Sequence, residues 1–282
     1  MAVLEQPQRE FNFSEADFRF IKNRIFQLAG ISLSDAKHQM VYSRLTKRLR
    51  VLGLTCFKEY CSLLKSGNTD EVDFFINSLT TNKTSFFREK HHFDYLSNTI
   101  VPELLDKKKS TRRIRIWSSA CSTGEEPYTL AMVLDRSKIT GKGWDTKILA
   151  TDLDSNVLDT ARNGVYDKRL LDDVDPNFRR SFFLKGGKNH PNKIKVADKL
   201  NNLITFKQLN LMEQWPFSGP FDMIFCRNVI IYFDKATQQK LFKRFYDLLS
   251  EGGYLIIGHS ENLGDMVKQF EVVGRTIYRK IP

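Results

Sequence analysis

The sequence predicts an α/β protein in which a doubly wound, parallel sheet follows an all-α N-terminal domain. From Phe11 to about Thr81 the apolar residues recur at helical spacing, segment after segment. After residue 110, short apolar runs alternate with helical stretches, as in a parallel sheet whose strands are joined by helices. Between residues 165 and 207 the alternation stops, and we expect a small inserted antiparallel β element there.

The first domain, residues 1–81, is expected to hold four helices. A capping box of Ser14 and Asp17 should begin the first helix, and Gly30 should end it. The other three are expected at about 36–52, 55–65 and 70–80, with Gly53 after the second. Residues 82–110 then form a connecting loop and helix that lead into the sheet domain, 111–282.

In the sheet domain, strands are expected at 113–118, 147–152, 221–226 and 254–258, and helices at 125–136, 155–162 and 236–250. The last helix should end at Gly252 and Gly253. The inserted β-hairpin subdomain, about 165–207, should contain three short antiparallel strands, at 181–187, 193–196 and 203–209.

Composition limits the class of protein. The 282 residues are 41% hydrophobic and include 22 Phe, so the chain can bury a large core and is not disordered. No stretch reaches the roughly 18 apolar residues of a membrane span, and MAVLEQPQRE at the start is unlike a secretory signal. The four cysteines have no metal-clip or disulfide spacing. These features predict a cytoplasmic protein, and nothing indicates an obligate dimer, so we expect a monomer.

The most informative segment is WSSACSTGEEPYTLAM, residues 117–132. A strand leads into a run of small residues, Ser119 to Gly124, and then into a helix with Pro127 in its first turn. In a doubly wound sheet, ligands bind at this edge. Glu125 and Glu126 stand where a dinucleotide would place its phosphates, and they should repel an anion and attract a cation. The alternative is that both acids only complement the helix dipole.

A second acidic residue follows the next strand. Asp152, at the end of ILATD, is placed to accept hydrogen bonds from a ribose diol, whereas Asp154 should cap the following helix. A ligand with a ribose and a cationic tail but no phosphate fits S-adenosylmethionine.

No metal site is expected. His91 and His92 are adjacent on a helix, so their side chains point about 100° apart.

Five segments, at 82–89, 120–128, 150–154, 225–234 and 258–262, together resemble the chemotaxis receptor methyltransferases of the CheR type. The resemblance implies a Rossmann-like methyltransferase domain that transfers methyl groups from S-adenosylmethionine to glutamate side chains of chemoreceptors. It implies cofactor contacts at Asn82, Thr84, Arg88, Glu125 or Glu126, Asp152, Asn210, Leu211, Arg227 and Asn228. It also implies that Arg88 and Tyr232 flank the methyl-transfer site.

The implied chemistry needs no general base, because a glutamate side chain is already ionised at neutral pH. The enzyme has to align the carboxylate and exclude water. Arg88 can hold a carboxylate through its planar fork, and Tyr232 could donate to one carboxylate oxygen while the other attacks. Without the resemblance, Tyr232 would be interpreted as an aromatic residue at the edge of the core.

Charge adds a prediction about partners. Lys and Arg outnumber Asp and Glu by 44 to 33, a net charge of +11, and residues 36–58 contain no acid. We expect the cations of the second helix to dock acidic receptor helices, although such a face is usually just solvated. The candidate docking residues are Arg44, Lys47, Arg48 and Arg50.

The sequence also fits three other interpretations. In some members of the CheR type the inserted β element binds a tethering peptide at a receptor C-terminus, and this chain's element could do so. The positive charge would also suit a nucleic-acid methyltransferase, although no RNA-binding signature is visible and Asn228 is followed by Val-Ile-Ile-Tyr. A third reading is a non-catalytic receptor-binding module of the same fold.

Overall fold

The computed structural model describes residues 9–141 and 143–281. The opening residues 1–8, on which part of the localisation prediction depends, lie outside the described residues. The chain divides into two compact units, with the boundary between Thr81 and Asn82. Within the described residues, no helix combines the length and the apolar content that crossing a bilayer requires.

The first unit is helical, as predicted. Its helices are α1 (Glu15–Ala29), α2 (His38–Leu52), α3 (Phe57–Lys65) and α4 (Thr69–Leu79), and a 3-10 turn leads into α2. The capping box is present, since Ser14 Oγ accepts from the Asp17 amide at 3.2 Å and Asp17 Oδ2 accepts from the Ser14 amide at 3.0 Å. Gly30 and Gly53 end α1 and α2 in the left-handed conformation, at φ 71° and 66°.

The second unit contains a seven-stranded sheet and a three-stranded sheet. In chain order the strands are β1 (Arg113–Ser119), β2 (Asp145–Asp152), β3 (Val165–Asp167), β4 (Phe183–Lys185), β5 (Lys193–Val196), β6 (Ile204–Gln208), β7 (Phe221–Cys226), β8 (Leu249–Ile257), β9 (Phe270–Gly274) and β10 (Ile277–Lys280). The large sheet has the order β6-β2-β1-β7-β8-β10-β9. Its first five strands are parallel, and β10 is antiparallel to both neighbours.

Helices cover both faces of the large sheet, which confirms the doubly wound prediction. The helices of the second unit are α5 (His91–Tyr95), α6 (Val101–Lys107), α7 (Glu125–Arg136), α8 (Ser155–Asn163), α9 (Pro176–Phe182) and α10 (Lys235–Leu248), with a π turn between α5 and α6. Side chains of β1 alternate between two cores. Ile116 packs into the core that contains α7, whereas Trp117 packs into the core that contains Phe242 and Phe245 of α10.

The small sheet differs from the prediction. It has the order β3-β5-β4 and is antiparallel, but the predicted third strand, 203–209, is not part of it. That segment forms β6, which pairs in parallel with β2 and places Ile204 opposite Ile148. A short apolar run fits either sheet equally well, and only the open edge of β2 decides where it pairs. The segment predicted at 181–187 is also divided, because α9 continues to Phe182 before β4 begins.

The junction of α10 and β8 also differs from the prediction. The helix ends at Leu248 and the strand begins at Leu249, so Gly252 and Gly253 lie inside the strand. Gly252 adopts φ 64°, and the pairing of β7 with β8 is irregular at this point. The two glycines mark a bulge in the strand and not a helix end.

Candidate functional site

The carboxyl ends of the parallel strands meet at one edge of the large sheet. Ser119 of β1 lies in register with Thr151 of β2 and with Cys226 of β7, and Cys226 lies opposite Ile257 of β8. The loops that follow these strands are therefore neighbours. This is the edge at which doubly wound sheets bind ligands.

The loop after β1 has an unusual backbone. Ala120, Ser122 and Gly124 all have positive φ, at 57°, 51° and 96°. A side chain at Gly124 is excluded by contact as well as by conformation, since a Cβ would lie 2.8 Å from Ala161 Cβ. The Cys121 amide donates to the Thr151 carbonyl at 2.9 Å. The loop is therefore fixed against β2. Its small residues allow a ligand at the sheet edge to approach the backbone closely.

Asp152 anchors this loop and is almost fully buried. Its Oδ2 accepts from the Ser122 amide at 2.7 Å and its Oδ1 from the Asp154 amide at 3.0 Å. Burial raises the pKa of Asp152 from 3.8 to about 6, although these backbone hydrogen bonds oppose the rise. Each oxygen keeps a lone pair with which it can accept a ligand hydroxyl.

Asp154 caps α8, as predicted, by accepting from the Asn156 amide at 2.9 Å. Asn82 is brought to the same place, because its Nδ2 donates to Asp154 Oδ2 at 2.7 Å and its carbonyl accepts from Ser122 Oγ at 2.8 Å. The segment that begins at Asn82 is thus joined to the loop after β1 and to the start of α8.

The two glutamates that begin α7 have different surroundings. Glu125 is buried and accepts from Thr123 Oγ1 at 2.6 Å, and burial raises the pKa of its carboxyl. Glu126 accepts from Ser118 Oγ at 2.7 Å and from Arg227 Nη1 at 2.8 Å. Arg227 therefore balances the charge of Glu126. Successive helical side chains point about 100° apart, so the two carboxylates meet different partners.

Arg227, directly after β7, carries a buried charge at this edge. Its side chain is 2% exposed, and besides Glu126 it faces Glu89 Oε2 at 3.4 Å and donates to the Arg88 carbonyl. The guanidinium carbon of Arg227 also lies over the ring of Phe93, 5.6 Å from its centroid. Arg227 thus connects the start of α7, the end of β7 and the segment that carries Arg88.

Glu89 was not singled out in the sequence, although it ends the segment 82–89. It has φ 57° and accepts from Asn228 Nδ2 at 3.1 Å, from the His259 amide at 3.2 Å and from His259 Nδ1 at 2.9 Å. Burial would raise the pKa of Glu89, but His259, Arg227 and Asn228 outweigh it and lower the pKa to about 2. The carboxylate is therefore ionised.

Glu261 was missed too, and it holds two loops together. It is buried and accepts the backbone amides of Gly258 at 2.6 Å, Asn228 at 3.0 Å and Ile231 at 3.3 Å. Burial raises the pKa of its carboxyl. Asn228 adopts φ 59°, and a Cβ at Gly258 would lie 2.6 Å from Asn228 Nδ2. Nothing in the spacing of a single buried acid would have indicated this role.

Arg88 and Tyr232 have donors without partners within 9–141 and 143–281. Arg88 Nη1 donates to the Lys83 carbonyl at 2.7 Å, and its other guanidinium nitrogens make no hydrogen bond. Tyr232 ends a 3-10 turn after β7, is half-buried, and its hydroxyl makes no hydrogen bond. Thr84 is half-buried between Asn82 and Arg88.

Asn210 and Leu211 follow β6 and reach the same edge. The preceding residue, Leu209, donates its amide to the Asp152 carbonyl at 2.9 Å. Asn210 Oδ1 accepts from the Met212 amide at 3.0 Å, and Leu211 is buried. The predicted cofactor residues that follow a strand or begin α7 therefore lie at the carboxyl edge of the sheet, and the other three, Asn82, Thr84 and Arg88, belong to the segment 82–89.

The predicted docking cations of α2 are mostly engaged within the first unit. Arg44 donates to the carbonyls of Leu79 and Thr80 at 2.9 and 2.7 Å. Arg48 pairs with buried Glu71 at 2.6 Å, and Arg50 pairs with Glu10. Lys47 is exposed and has no hydrogen bond or ion pair with any residue that the structure describes.

The donors and acceptors at the edge fit S-adenosylmethionine. Ser119 Oγ and Arg227 Nε are buried without a hydrogen-bond partner in the described part of the chain, so polar groups are left for a ligand. Carboxylates suit a cationic ligand. In the described residues, no three His, Cys, Asp or Glu side chains are grouped so that they could hold a metal ion.

Comparison with known proteins gives the family. Residues 82–279 match the family described as "CheR methyltransferase, SAM binding domain", and residues 16–80 match "CheR methyltransferase, all-alpha domain". The chain belongs to the CheR methyltransferase family. S-adenosylmethionine is its cofactor, and the predicted combination of an all-α domain with a Rossmann-like domain is confirmed.

Its relatives include proteins named chemotaxis protein methyltransferases. The chain is 47% identical to a "Probable chemotaxis protein methyltransferase" of Rhizobium etli over 258 residues, which cover 90% of this chain and 96% of the relative. It is 44% identical to the "Chemotaxis protein methyltransferase" of Escherichia coli K12 over 280 residues, covering 98% and 95%. With "Chemotaxis protein methyltransferase 2" of Pseudomonas aeruginosa it shares 42% identity over 271 residues, covering 96% and 95%.

The raised pKa of Asp152 predicts a pH dependence of cofactor binding. If ribose hydroxyls donate to its carboxylate, protonation replaces an acceptor by a donor, so affinity should fall by about tenfold for each pH unit below 6. Calorimetry with S-adenosylhomocysteine between pH 5 and 8 measures this affinity.

The free energy of unfolding without ligand should depend on pH in the opposite direction. Because the pKa of Asp152 is raised in the folded state, its contribution to stability is largest at low pH and is lost as the pH rises from 3.8 through 6.

The control is Asp152→Asn, which should bind more weakly and without this pH dependence. The same slope in the asparagine variant would show that another group is responsible.

Proposed function

We propose that the chain transfers a methyl group from S-adenosylmethionine to the γ-carboxylate of glutamate residues on the cytoplasmic helices of chemoreceptors, giving glutamate methyl esters in sensory adaptation. The observation that carries the proposal is the match of both units, over 16–80 and 82–279, to a family whose relatives are named chemotaxis protein methyltransferases. The activity is that of a protein-glutamate O-methyltransferase.

When bound, S-adenosylmethionine supplies a methyl group activated by a sulfonium cation. We assign Asp152 to the ribose hydroxyls, because it is a buried acceptor at the end of β2. Glu125 and Glu126 lie where a cationic tail would lie, and both are candidates for the contact, although Glu126 also pairs with Arg227. The other proposed cofactor contacts are Asn82, Thr84, Arg88, Asn210, Leu211, Arg227 and Asn228.

The acceptor carboxylate has to be oriented and dehydrated, not deprotonated. Arg88 keeps guanidinium nitrogens without partners among the described residues, so it can bind a carboxylate through two hydrogen bonds. The Tyr232 hydroxyl makes no hydrogen bond to any residue that the structure describes, so it can donate to the same carboxylate. We assign both residues to positioning the acceptor: the phenol donates to one oxygen, which leaves the other for attack.

A single assay tests the function. The protein is incubated with methyl-labelled S-adenosylmethionine and either receptor fragments or nucleic acid, and the products are treated with mild alkali. Glutamate methyl esters release volatile methanol, and we expect this from the receptor fragment. Label retained on nucleic acid would replace the proposal by a nucleic-acid methyltransferase. Binding of receptor fragment without any transfer would indicate a receptor-binding module.

The helical unit is the proposed docking surface for acidic receptor helices. Because Arg48 is held by Glu71 and Arg44 by backbone carbonyls, Lys47 is the cation of α2 best placed to meet a partner. The small sheet offers a second contact, since β4 is an edge strand to which an extended receptor peptide can pair. We propose a monomer that acts in the cytoplasm and binds no nucleic acid.

The docking residues can be separated by their effects. Lys47→Glu should raise KM for the receptor fragment several-fold with an unchanged melting temperature, because an exposed charge steers a partner but stabilises little. Arg48→Ala should instead lower the free energy of unfolding by about 3 kcal/mol, because it leaves the charge of buried Glu71 without its cationic partner. Steady-state kinetics and urea denaturation measure the two effects.

Lys58→Glu, a charge reversal elsewhere in the helical unit, is the control for net charge. An equal rise in KM in both lysine variants would mean that Lys47 has no specific role.

A further inference from the structure

Glu89 lies at a junction of three segments that the proposed methyl transfer would use. It follows Arg88 directly in the chain, contacts Asn228 after β7, and contacts His259 after β8. Arg227 closes the junction, because its guanidinium faces Glu89 Oε2 at 3.4 Å and also donates to the Arg88 carbonyl. One carboxylate therefore holds neighbours from both strand ends beside the residue proposed to bind the acceptor.

The backbone at this point is held in a strained form. Phe87 and Glu89 have φ 56° and 57°, so Arg88 lies between two left-handed residues that are not glycine. Such conformations persist only where surrounding contacts enforce them, and they concentrate at functional sites. The contacts of Glu89 and Arg227 contribute to holding it, together with the Phe87 amide, which donates to Thr129 Oγ1 at 3.2 Å, and the Phe87 ring, which packs against Phe93 and Phe178.

The contact with His259 also fixes the imidazole. An ionised carboxylate can only accept, so the proton in the 2.9 Å contact belongs to His259 Nδ1. His259 is half exposed, whereas Glu89 is only 10% exposed, an arrangement in which a buried acid orients an accessible ring. In the neutral ring, Nε2 is then the acceptor.

We propose that Glu89 is a positioning residue for methyl transfer, which acts by fixing the backbone of Arg88, the amide of Asn228 and the imidazole of His259 relative to one another. This inference rests on the proposed function, because it assigns Glu89 a part in the same reaction. Glu89 itself needs no contact with the acceptor or the cofactor. Its loss should therefore affect turnover more than the binding of either.

The test uses Glu89→Gln, which keeps the size of the side chain and removes its charge, and Glu89→Asp, which keeps the charge. We expect Glu89→Gln to lower kcat by about 100-fold, the scale of a misplacement of about 1 Å, with KM for receptor fragment and Kd for S-adenosylhomocysteine within a few-fold of the parent. Glu89→Asp should recover part of kcat. Glu103→Gln is the matched control. Glu103 is a partly buried acid on α6 whose carboxylate accepts hydrogen bonds from Tyr254 and Lys107.

A spectroscopic measurement separates positioning from a general loss of structure. In ¹⁵N-edited spectra of the five imidazoles, His259 should show a protonated Nδ1 in the parent and in Glu89→Asp. This signature should be lost in Glu89→Gln while the signals of His38 and His190 stay unchanged. If Glu89→Gln does not fold, Glu89→Asp and His259→Gln test the proposal in its place. We expect each of them to lower kcat several-fold.

Two results would overturn the inference. One is a kcat for the Glu89 and His259 variants within twofold of the parent. The other is a parallel loss of kcat, cofactor affinity and melting temperature, which would mean that Glu89 only stabilises the fold. A failure of the proposed function is distinguishable, because then the parent protein itself would transfer no alkali-labile methyl group to any receptor fragment.

Discussion

Replacing Arg227 by methionine should lower the free energy of unfolding by about 3–5 kcal/mol and abolish measurable binding of S-adenosylhomocysteine. The guanidinium is 2% exposed and compensates Glu126 at 2.8 Å and Glu89 at 3.4 Å. Removing one partner of a buried ion pair leaves the other charge without compensation, which accounts for the size of the loss in the free energy of unfolding. Urea denaturation and calorimetry measure the two quantities.

A double variant shows whether charge is the cause. Arg227→Met combined with Glu126→Gln should recover part of the lost stability, because one of the two stranded charges is then absent. Arg279→Met is the matched control, since Arg279 is 30% exposed and lies 3.5 Å from Glu103. A stability of Arg227→Met within 1 kcal/mol of the parent would contradict the charge balance described for this edge.

The second large effect is expected at Arg88. Arg88→Ala should lower kcat by about 100-fold or more, because the acceptor carboxylate loses its fork of donors, while the melting temperature changes little. The fold depends weakly on this side chain, whose one hydrogen bond to a described residue goes to the Lys83 carbonyl. Methanol release from receptor fragment and thermal denaturation measure the two effects.

Arg162→Ala is the control, since Arg162 is an exposed arginine of the same unit whose ion pair is with Asp159. Arg88→Lys should recover only a small part of the lost kcat, because lysine restores the charge but lacks the planar guanidinium that forms two hydrogen bonds. Turnover at the parent rate in Arg88→Ala would remove Arg88 from the methyl-transfer site.

The charges at the sheet edge were only partly predictable. Each acid was visible in the sequence as a residue that follows a strand or begins a helix, and Asp154 does cap α8 as its position indicates. The partner of Glu126, however, is Arg227, which lies 101 residues away and reaches it only because β1 and β7 are neighbours in the sheet. The local pattern therefore predicted the two acids at the start of α7, but not the distant arginine that pairs with one of them.

The same limit applies to the strands. The helices of the first unit were predictable because capping boxes, glycine ends and helical spacing are local signals. The segment 204–208 carries no signal that distinguishes an antiparallel hairpin strand from a parallel edge strand. Its place beside β2 depends on an open edge that exists only after the large sheet has formed.

By itself, the sequence determined the order of helices and strands, the small-residue loop before α7, and the position of Asp152 at a strand end, because these depend on neighbours within a few residues. Tertiary structure decided which charges are compensated, which strands share a sheet, and that Glu89 and Glu261 join separate loops. Those properties arise from residues far apart in the chain that come together at one edge, where burial strengthens each electrostatic contact.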